Sequence, residues 1–214
     1  NLHDYFFYFT LFFLGSVLMR SAGCIVNDIL DKDFDKNVLR TKRRPIASKK
    51  ISVTLGLFYT IILCFLALSV LINFNILTII LAIGSMPLAF TYPLMKRYTY
   101  WPQLFLGITF NYGLILGWTC IKNEIDIVPL IFYFGAIFWT LGYDTIYGFQ
   151  DIKDDEIIGL KSTSIKFKGN AKKFIFICYL FLLIFFLLGG YKMNFHFSYY
   201  LLFIIPLVHL LIYQ

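Results

Sequence analysis

Nine of the twelve acidic residues in this 214-residue sequence fall into two short strings. The first acidic cluster lies within Asn27–Asp35, and the second acidic cluster lies within Asp144–Glu156. Each string directly follows a long apolar run. Carboxylates at the edge of a membrane are costly and usually functional. The two clusters are therefore the first candidates for chemistry.

In the first acidic cluster, helical spacing predicts a row of side chains on one face. At about 100° per residue, Asn27, Asp31 and Asp35 are spaced i, i+4 and i+8. Asp28 lies beside this row, and Asp33 points elsewhere. The row is expected on a helix that continues the preceding apolar segment.

In the second acidic cluster, the same geometry predicts a similar row. Asp144, Asp151 and Asp155 are spaced i, i+7 and i+11 and fall within about 40° of one another on a continuous helix. Asp154 points elsewhere. The interpretation requires one helix to extend from the apolar run through Asp155.

Several carboxylates on one helix face repel each other unless a cation lies between them. Oxygen ligands with open positions suit Mg²⁺, which is normally bound by one or two carboxylates together with water and substrate phosphates. No Cys or His nearby favours zinc. Two such rows predict two divalent ions that bridge a diphosphate. The alternative is that the clusters are solvated helix ends, offset by adjacent lysines.

A diphosphate also needs cations from the protein. Lys96 and Arg97 end the third apolar segment, and Arg20 lies inside the first one, seven residues before Asn27. A buried arginine needs a partner, which Asn27, Asp31 or an anionic substrate would supply.

Two further cations, Arg43 and Lys161, lie in loops. They are candidates for diphosphate binding, and the alternative is that they only fix the orientation in the membrane. For Arg44 and the lysines within 166–173, we assign the orientation role alone.

The elements that position these residues are predicted to be membrane helices. Hydrophobic residues make up 59% of the sequence and charged residues 14%, whereas soluble domains carry about 25% charged residues. This composition excludes a soluble globular protein, a disordered chain and a disulfide scaffold. A membrane-spanning helix needs about 20 apolar residues. The segments that qualify are 5–27, 52–72, 75–93, 101–120, 127–149, 173–190 and 197–213.

The basic residues predict the orientation of these spans. Loops 28–50, 94–100 and 151–173 hold 16 of the 19 Lys and Arg residues, so the positive-inside rule places all three loops in the cytoplasm. The net charge of +7 then reflects topology and not nucleic-acid binding. Residue 1 would lie outside, and the chain does not begin with Met. We therefore expect a missing upstream helix.

Together with their flanks, the two acidic strings resemble the two Asp-rich motifs of the UbiA prenyltransferase family. The first resemblance runs from Arg20 to Ser48 and the second from Asp144 to Thr163. Between them, Tyr92–Gln103 is similar to the connecting loop of the 4-hydroxybenzoate polyprenyltransferase branch. The resemblance covers essentially the whole chain.

The resemblance implies an all-α bundle of nine transmembrane helices around a central cavity with cytoplasmic cap loops. This chain would hold seven of the nine as a single domain over 1–214, truncated at both ends. The implied activity is Mg²⁺-dependent transfer of a polyprenyl group from polyprenyl diphosphate to a ring carbon of 4-hydroxybenzoate, in ubiquinone biosynthesis. The implied location is a bacterial or mitochondrial inner membrane, with the motif loops on the cytoplasmic or matrix side.

Residue roles follow from the same resemblance. The implied metal ligands are Asn27, Asp31 and Asp35 for one ion and Asp151 and Asp155 for the other. Lys96 matches a diphosphate-binding lysine, while Arg97 or Arg20 would hold the carboxylate of the acceptor. Asp144 and Asp28 would support or gate the site. The remaining implied substrate-binding residues are Tyr92, Tyr147, Arg43 and Lys161.

Two alternatives remain open at this stage. A transporter would use the acids as a cation pathway, but transporter sites usually lie near the bilayer midplane at broken helices. Here the acids lie at span ends together with lysine and arginine, which favours an anionic, metal-bridged substrate. The second alternative is a UbiA-type enzyme with a different acceptor.

Overall fold

The computed structural model describes residues 2–38 and 41–210, and the regular elements of these residues are all helices. They are α1 (Leu2–Asp35), α2 (Val53–Leu71), α3 (Ile76–Thr91), a 3₁₀ helix (Tyr92–Leu94), α4 (Met95–Tyr98), α5 (Pro102–Phe110), α6 (Gly113–Lys122), α7 (Ile127–Gly148), α8 (Ile152–Ile158), α9 (Thr163–Lys166), α10 (Ala171–Lys192) and α11 (Phe197–Val208). The predicted all-helical fold class is confirmed.

Six segments of the described residues are long and apolar enough to cross a membrane. They are Tyr5–Asp35, Val53–Leu71, Ile76–Tyr98, Pro102–Lys122, Ile127–Gly148 and Ala171–Lys192. The protein is therefore an integral, multi-pass membrane protein.

These six segments correspond to six of the seven predicted spans. The seventh prediction, over 197–213, coincides with α11, an apolar helix of 12 residues, and a span needs about 20. Residues 211–213 of that prediction lie outside the described residues, as does Arg40 of the first motif.

The chain divides into two compact units, residues 1–90 and 91–214. In the first unit, α2 packs against α1. Gly56 makes a close approach possible, because a Cβ atom there would lie 3.2 Å from Ile46 Cδ1 and 3.4 Å from methyl groups of Ile25 and Ile29. This approach holds the segment after α1 against the turns that carry the first acidic cluster.

Helix α1 is continuous for 34 residues and ends at Asp35. Its last carbonyl groups find partners in the following turns: Asn37 N donates to Phe34 O (2.9 Å), and Thr41 Oγ1 donates to Asp35 O (3.3 Å). Helix α2 begins after Ser52, whose hydroxyl accepts from Leu55 N (3.1 Å). The first acidic cluster is thus on one unbroken helix, as predicted.

In the second unit, α7 is the central helix and packs against α10, α5, α6 and α9. Glycines on α7 let large rings of α10 approach closely. A Cβ atom at Gly142 would lie 2.7 Å from Tyr179 Cε1, and one at Gly135 would lie 2.7 Å from Phe186 Cδ2. Tyr179 is almost fully buried as a result. Small residues that let helix backbones approach are typical of helix packing in membranes.

The prediction of one continuous helix from Asp144 to Asp155 is wrong. Helix α7 ends at Gly148 and α8 begins at Ile152. Over residues 149–151, each backbone N–H donates to the carbonyl three residues earlier, at 3.2 Å, so the chain turns more tightly than an α-helix. The 100° periodicity does not hold across this break, so it cannot be used to place Asp144 on one face with Asp151 and Asp155.

Candidate functional site

In the first acidic cluster, α1 turns two carboxylates into the protein. Asp31 is 1% exposed and Asp35 is 6% exposed, whereas Asn27 is half-buried. The Asp33 side chain, off this face, is 72% exposed. The contrast confirms the predicted helical placement of this row. The metal-binding role of its members stays a prediction.

Arg44 contacts this cluster directly. Its Nη1 lies 3.1 Å from Asp28 Oδ1 and 3.1 Å from Asp35 Oδ2. The sequence assignment of Arg44 to membrane orientation alone is therefore wrong. A buried carboxylate needs nearby positive charge, and the arginine supplies it to buried Asp35 and to half-buried Asp28.

The loop after α1 brings Arg44 back to the helix. Arg44 N donates to Thr41 O (2.9 Å), and Ile46 and Ala47 are buried just beyond Pro45. The sequence contained a signal for this return of the loop. The apolar pair Ile46-Ala47 interrupts a basic loop, and apolar residues tend to be buried.

Two predicted cations of the first unit are exposed on the surface of the protein. Arg20 is exposed on α1, so the expected burial of its side chain within the protein is not found. Arg43, next to Arg44 in the chain, is exposed as well. The structure brings neither residue into the carboxylate row.

The oxygen donors of the first cluster fit a magnesium ion. Asp31 and Asp35 are buried and one helical turn apart, and Mg²⁺ is normally bound by one or two carboxylates with phosphate oxygens and water completing its shell. Among the described residues, no group of three or more His, Cys, Asp or Glu side chains is placed to hold a metal. The donors fit a metal whose shell is completed by a substrate.

In the second acidic cluster, the break after α7 separates the carboxylates. Asp144 lies on α7, one turn before its end, and is half-buried. Asp151 is the N-cap residue of α8, and Asp155 lies in its first turn. Asp155 N donates to Asp151 O at 2.9 Å, so this pair is positioned by α8 itself. Tyr147, in the last turn of α7, is 49% exposed.

Three predicted cations of the second unit are brought close together. Lys161 N donates to Lys96 O (2.8 Å), and Lys161 Nζ donates to Tyr98 O (3.2 Å). Lys96 and Arg97 lie half-buried on α4. The predicted residue Tyr92 begins the 3₁₀ helix that leads into α4.

A buried network of polar side chains attaches the start of α9 to α7. Gln103 Oε1 accepts from Thr163 N (3.0 Å), and the hydroxyls of Thr145 and Thr163 lie 2.6 Å apart. Ser164 Oγ donates to Thr145 O (2.7 Å). All four side chains are at most 6% exposed.

Sequence reasoning missed this network. Its signal was Gln103 inside an apolar segment, because a polar side chain within a membrane helix requires a partner. The partners, from residue 145 and residues 163–164, are far away in sequence and become evident only in the fold.

Fold and site together define a polytopic membrane protein whose span ends carry Asp-rich segments next to lysine and arginine. The UbiA prenyltransferase family profile matches residues 2–214. The chain belongs to the UbiA prenyltransferase family.

Two relatives show the extent of the similarity. The chain is 52% identical over 167 residues to the mitochondrial 4-hydroxybenzoate polyprenyltransferase of Bos taurus, covering 78% of this chain and 45% of that protein. It is 46% identical over 170 residues to the protein of the same name from Arabidopsis thaliana, covering 78% and 41%. The chain thus spans about half the length of the curated relatives it matches.

The fold resembles a solved structure of the same family. A UbiA homolog from Aeropyrum pernix K1 superimposes with a TM-score of 0.77 at 23% identity, covering 87% of this chain and 71% of that one. This likeness supports the fold.

Proposed function

We propose that this chain contributes to a 4-hydroxybenzoate polyprenyltransferase, which transfers a polyprenyl group from a polyprenyl diphosphate to a ring carbon of 4-hydroxybenzoate. The observation that carries the proposal is the identity of about half of the aligned positions with enzymes of that name. The identity extends over 78% of the chain.

The proposed reaction breaks the allylic carbon–oxygen bond of the polyprenyl diphosphate. The diphosphate leaves with the bonding electrons, and a ring carbon of 4-hydroxybenzoate attacks the allylic cation. The proton on that carbon then passes to the released diphosphate or to water. Magnesium, when bound, would supply Lewis-acid neutralisation of the leaving diphosphate. The proposed ligands are Asn27, Asp31, Asp35, Asp151 and Asp155.

The side chains of this chain are proposed to bind and orient the two substrates and to exclude water. Lys96 and Lys161, whose backbones are joined by a hydrogen bond, are proposed to bind the diphosphate, and Arg97 or Arg20 to hold the acceptor carboxylate. Asp28 and Asp144 are proposed to orient these groups. Apolar helices exclude water, which protects the allylic cation from quenching.

Aromatic side chains complete the proposed site. Tyr92 and Tyr147 would stabilise positive charge on the allylic group through their ring faces. Arg43 is proposed to approach the diphosphate from the loop after α1. We propose that the motif loops lie on the cytoplasmic or matrix side, as their basic residues favour.

The length of the prenyl donor is a separate part of the proposal. One relative, 4-hydroxybenzoate geranyltransferase 2 of Lithospermum erythrorhizon, is 50% identical over 161 residues, covering 74% of this chain and 52% of that protein. Its name gives the same acceptor with a short donor. The acceptor is therefore the better supported half of the assignment.

The test is a transfer assay on membranes that contain the protein, with 4-hydroxybenzoate and donors from geranyl diphosphate upwards. We expect prenylated 4-hydroxybenzoate in the presence of Mg²⁺ and none with EDTA, with recovery when Mg²⁺ is restored. A product with a different acceptor and none with 4-hydroxybenzoate would favour the alternative UbiA-type activity. Undiminished product in EDTA would contradict the metal assignment.

A further inference from the structure

A cleft of about 410 Å³ lies in the unit of residues 1–90, between the end of α1 and the segment that enters α2. Its polar lining consists mainly of Lys32, Asp33, Lys36 and Lys49. None of these four residues belongs to the proposed metal or substrate set. We call it the basic cleft.

The charge of the basic cleft favours an anionic ligand. Three lysines and one aspartate line it, which gives a formal net charge of +2. Lys36 Nζ lies 2.8 Å from Asp33 Oδ1, so one lysine is engaged with this single acid. Lys32 is half-buried, and Lys49 is exposed.

Lys49 lines the cleft in a backbone conformation that side chains rarely adopt. Its φ angle is +61°, in the left-handed region that normally favours glycine or asparagine. A hydrogen bond from Lys49 N to Ile46 O (3.1 Å) closes this turn. Glycine would be less strained than lysine at this position.

The other wall of the basic cleft is apolar and continues into the membrane. Ile46, Ile51 and Val53 line it. Val53 is the first residue of α2, and Leu57 and Ile61 follow at i+4 and i+8, with 47% and 54% of their surfaces exposed. Because such positions share one side of a helix, an apolar track leads from the cleft along a membrane span.

We propose that the basic cleft binds the phosphate of an anionic phospholipid, whose acyl chain lies along Val53, Leu57 and Ile61. Lysines at the end of a membrane helix attract anionic headgroups, and the adjoining track accounts for the tail. A free phosphate would use only the lysines. The combination of basic pocket and apolar track therefore favours a lipid.

The proposal is tested on the purified full chain in detergent, by native mass spectrometry with phosphatidylglycerol or phosphatidylcholine. We expect retention of phosphatidylglycerol, weakened about fivefold for each lysine removed, in the series K49Q, K32Q/K49Q and K32Q/K36Q/K49Q. The matched control, K153Q/K172Q/K173Q, removes three exposed lysines of the other unit. Equal retention by the first triple variant and the unmodified protein, or equal loss in the control, would overturn the proposal.

Two further measurements test the turn at Lys49 and the need for an acyl chain. Lys49→Gly keeps the left-handed turn and removes the whole side chain with its ammonium group. Because glycine suits this backbone conformation, the variant should unfold at the same or a higher temperature and still bind phosphatidylglycerol about fivefold more weakly. Its undiminished binding would remove Lys49 from the site. Long-chain phosphatidylglycerol should raise the unfolding temperature more than inorganic phosphate at equal concentration. Equal effects would reassign the cleft to a soluble anion.

Discussion

The two acidic clusters follow membrane spans in the same way along the sequence, but their backbones differ. In the first, α1 runs unbroken to Asp35, so helical register puts Asp31 and Asp35 on one face, and both are buried. In the second, the helix ends at Gly148, and residues 149–151 form a tighter turn with i to i−3 hydrogen bonds.

The difference shows two ways to position carboxylates. The first cluster depends on a rigid helix and on one arginine that folds back to it. The second depends on contacts that are distant in sequence, from Gln103, Thr145 and Thr163, which hold the start of α9 to α7. The first should therefore respond mainly to changes of charge, and the second also to changes of backbone and packing.

The largest expected effect is common to both clusters. Asp31→Ala and Asp151→Ala should each reduce prenyl transfer roughly a hundred- to a thousand-fold, because each would remove a ligand that stabilises the leaving diphosphate. The measurement is the initial rate in membranes at saturating Mg²⁺. The control carboxylates are Asp154 of the second cluster and Glu124, which belongs to neither cluster, and their alanine variants should remain active. Full activity in either ligand variant would exclude that cluster from the mechanism.

The next largest effect is expected in the second cluster alone, because it concerns the helix break after α7. A Cβ atom at Gly148 would overlap Ser164 Oγ. Gly148→Ala should therefore lower the free energy of unfolding by about 1–3 kcal/mol. Gly117→Ala is the control, because no atom lies within 4 Å of a Cβ there, and helix propensity predicts a gain of up to about 1 kcal/mol. The measurement is denaturant unfolding of both variants in detergent. Equal changes in the free energy of unfolding would contradict close packing of Ser164 against Gly148.

The corresponding test in the first cluster removes its arginine. Arg44→Ala leaves Asp28 and Asp35 without this cation and should lower the free energy of unfolding by about 1–2 kcal/mol, less than for a fully buried pair because Arg44 is 32% exposed. The same change should slow prenyl transfer, and Arg44→Lys should restore part of both.

Lys42→Ala is the matched control for this arginine. Lys42 lies in the same loop and is exposed, so its variant should unfold like the unmodified protein. If both variants unfold alike, the ion pairs of Arg44 contribute no measurable stability to the first cluster.

The smallest expected effect concerns the buried hydroxyls of the second unit. Thr163→Val removes the contact with Thr145 while keeping the size of the side chain, and Thr145 Oγ1 retains its bond to Leu141 O. The expected loss is about 1 kcal/mol of unfolding free energy. The KM for the diphosphate should also rise, because Lys161 lies two residues before Thr163. Thr163→Ser should behave as the unmodified protein, and a Val variant that equals it in both measurements would show that the hydroxyl is dispensable.

Much of the fold was predictable from local properties. Apolar segments of about 20 residues predict spans because the bilayer core has a fixed thickness, and six of the predicted spans are confirmed. The row in the first cluster was predictable because α1 has no break that disturbs its period. The prediction failed across residues 149–151, where i to i−3 hydrogen bonds replace the helical period.

The contacts of Arg44 and of Gln103 were not predictable in the same way. Arg44 lies 9 and 16 residues from its two partners, and Gln103 lies 60 residues from Thr163. Periodicity relates only residues on one helix. Which loop returns to which helix depends on the burial of apolar side chains such as Ile46. It also depends on close approaches between segments, such as that of Ser164 to Gly148.

By itself, the sequence determined the membrane class, the family and which residue types are available for chemistry, because hydropathy, charge and motif spacing are local properties of the chain. The tertiary structure decided that Asp31 and Asp35 are buried while Arg20 is exposed, and that Arg44 contacts the first cluster. It also decided that the second cluster is divided by a turn. The physical reason is that burial and ion pairing depend on which distant segments pack together, and local spacing does not contain that information.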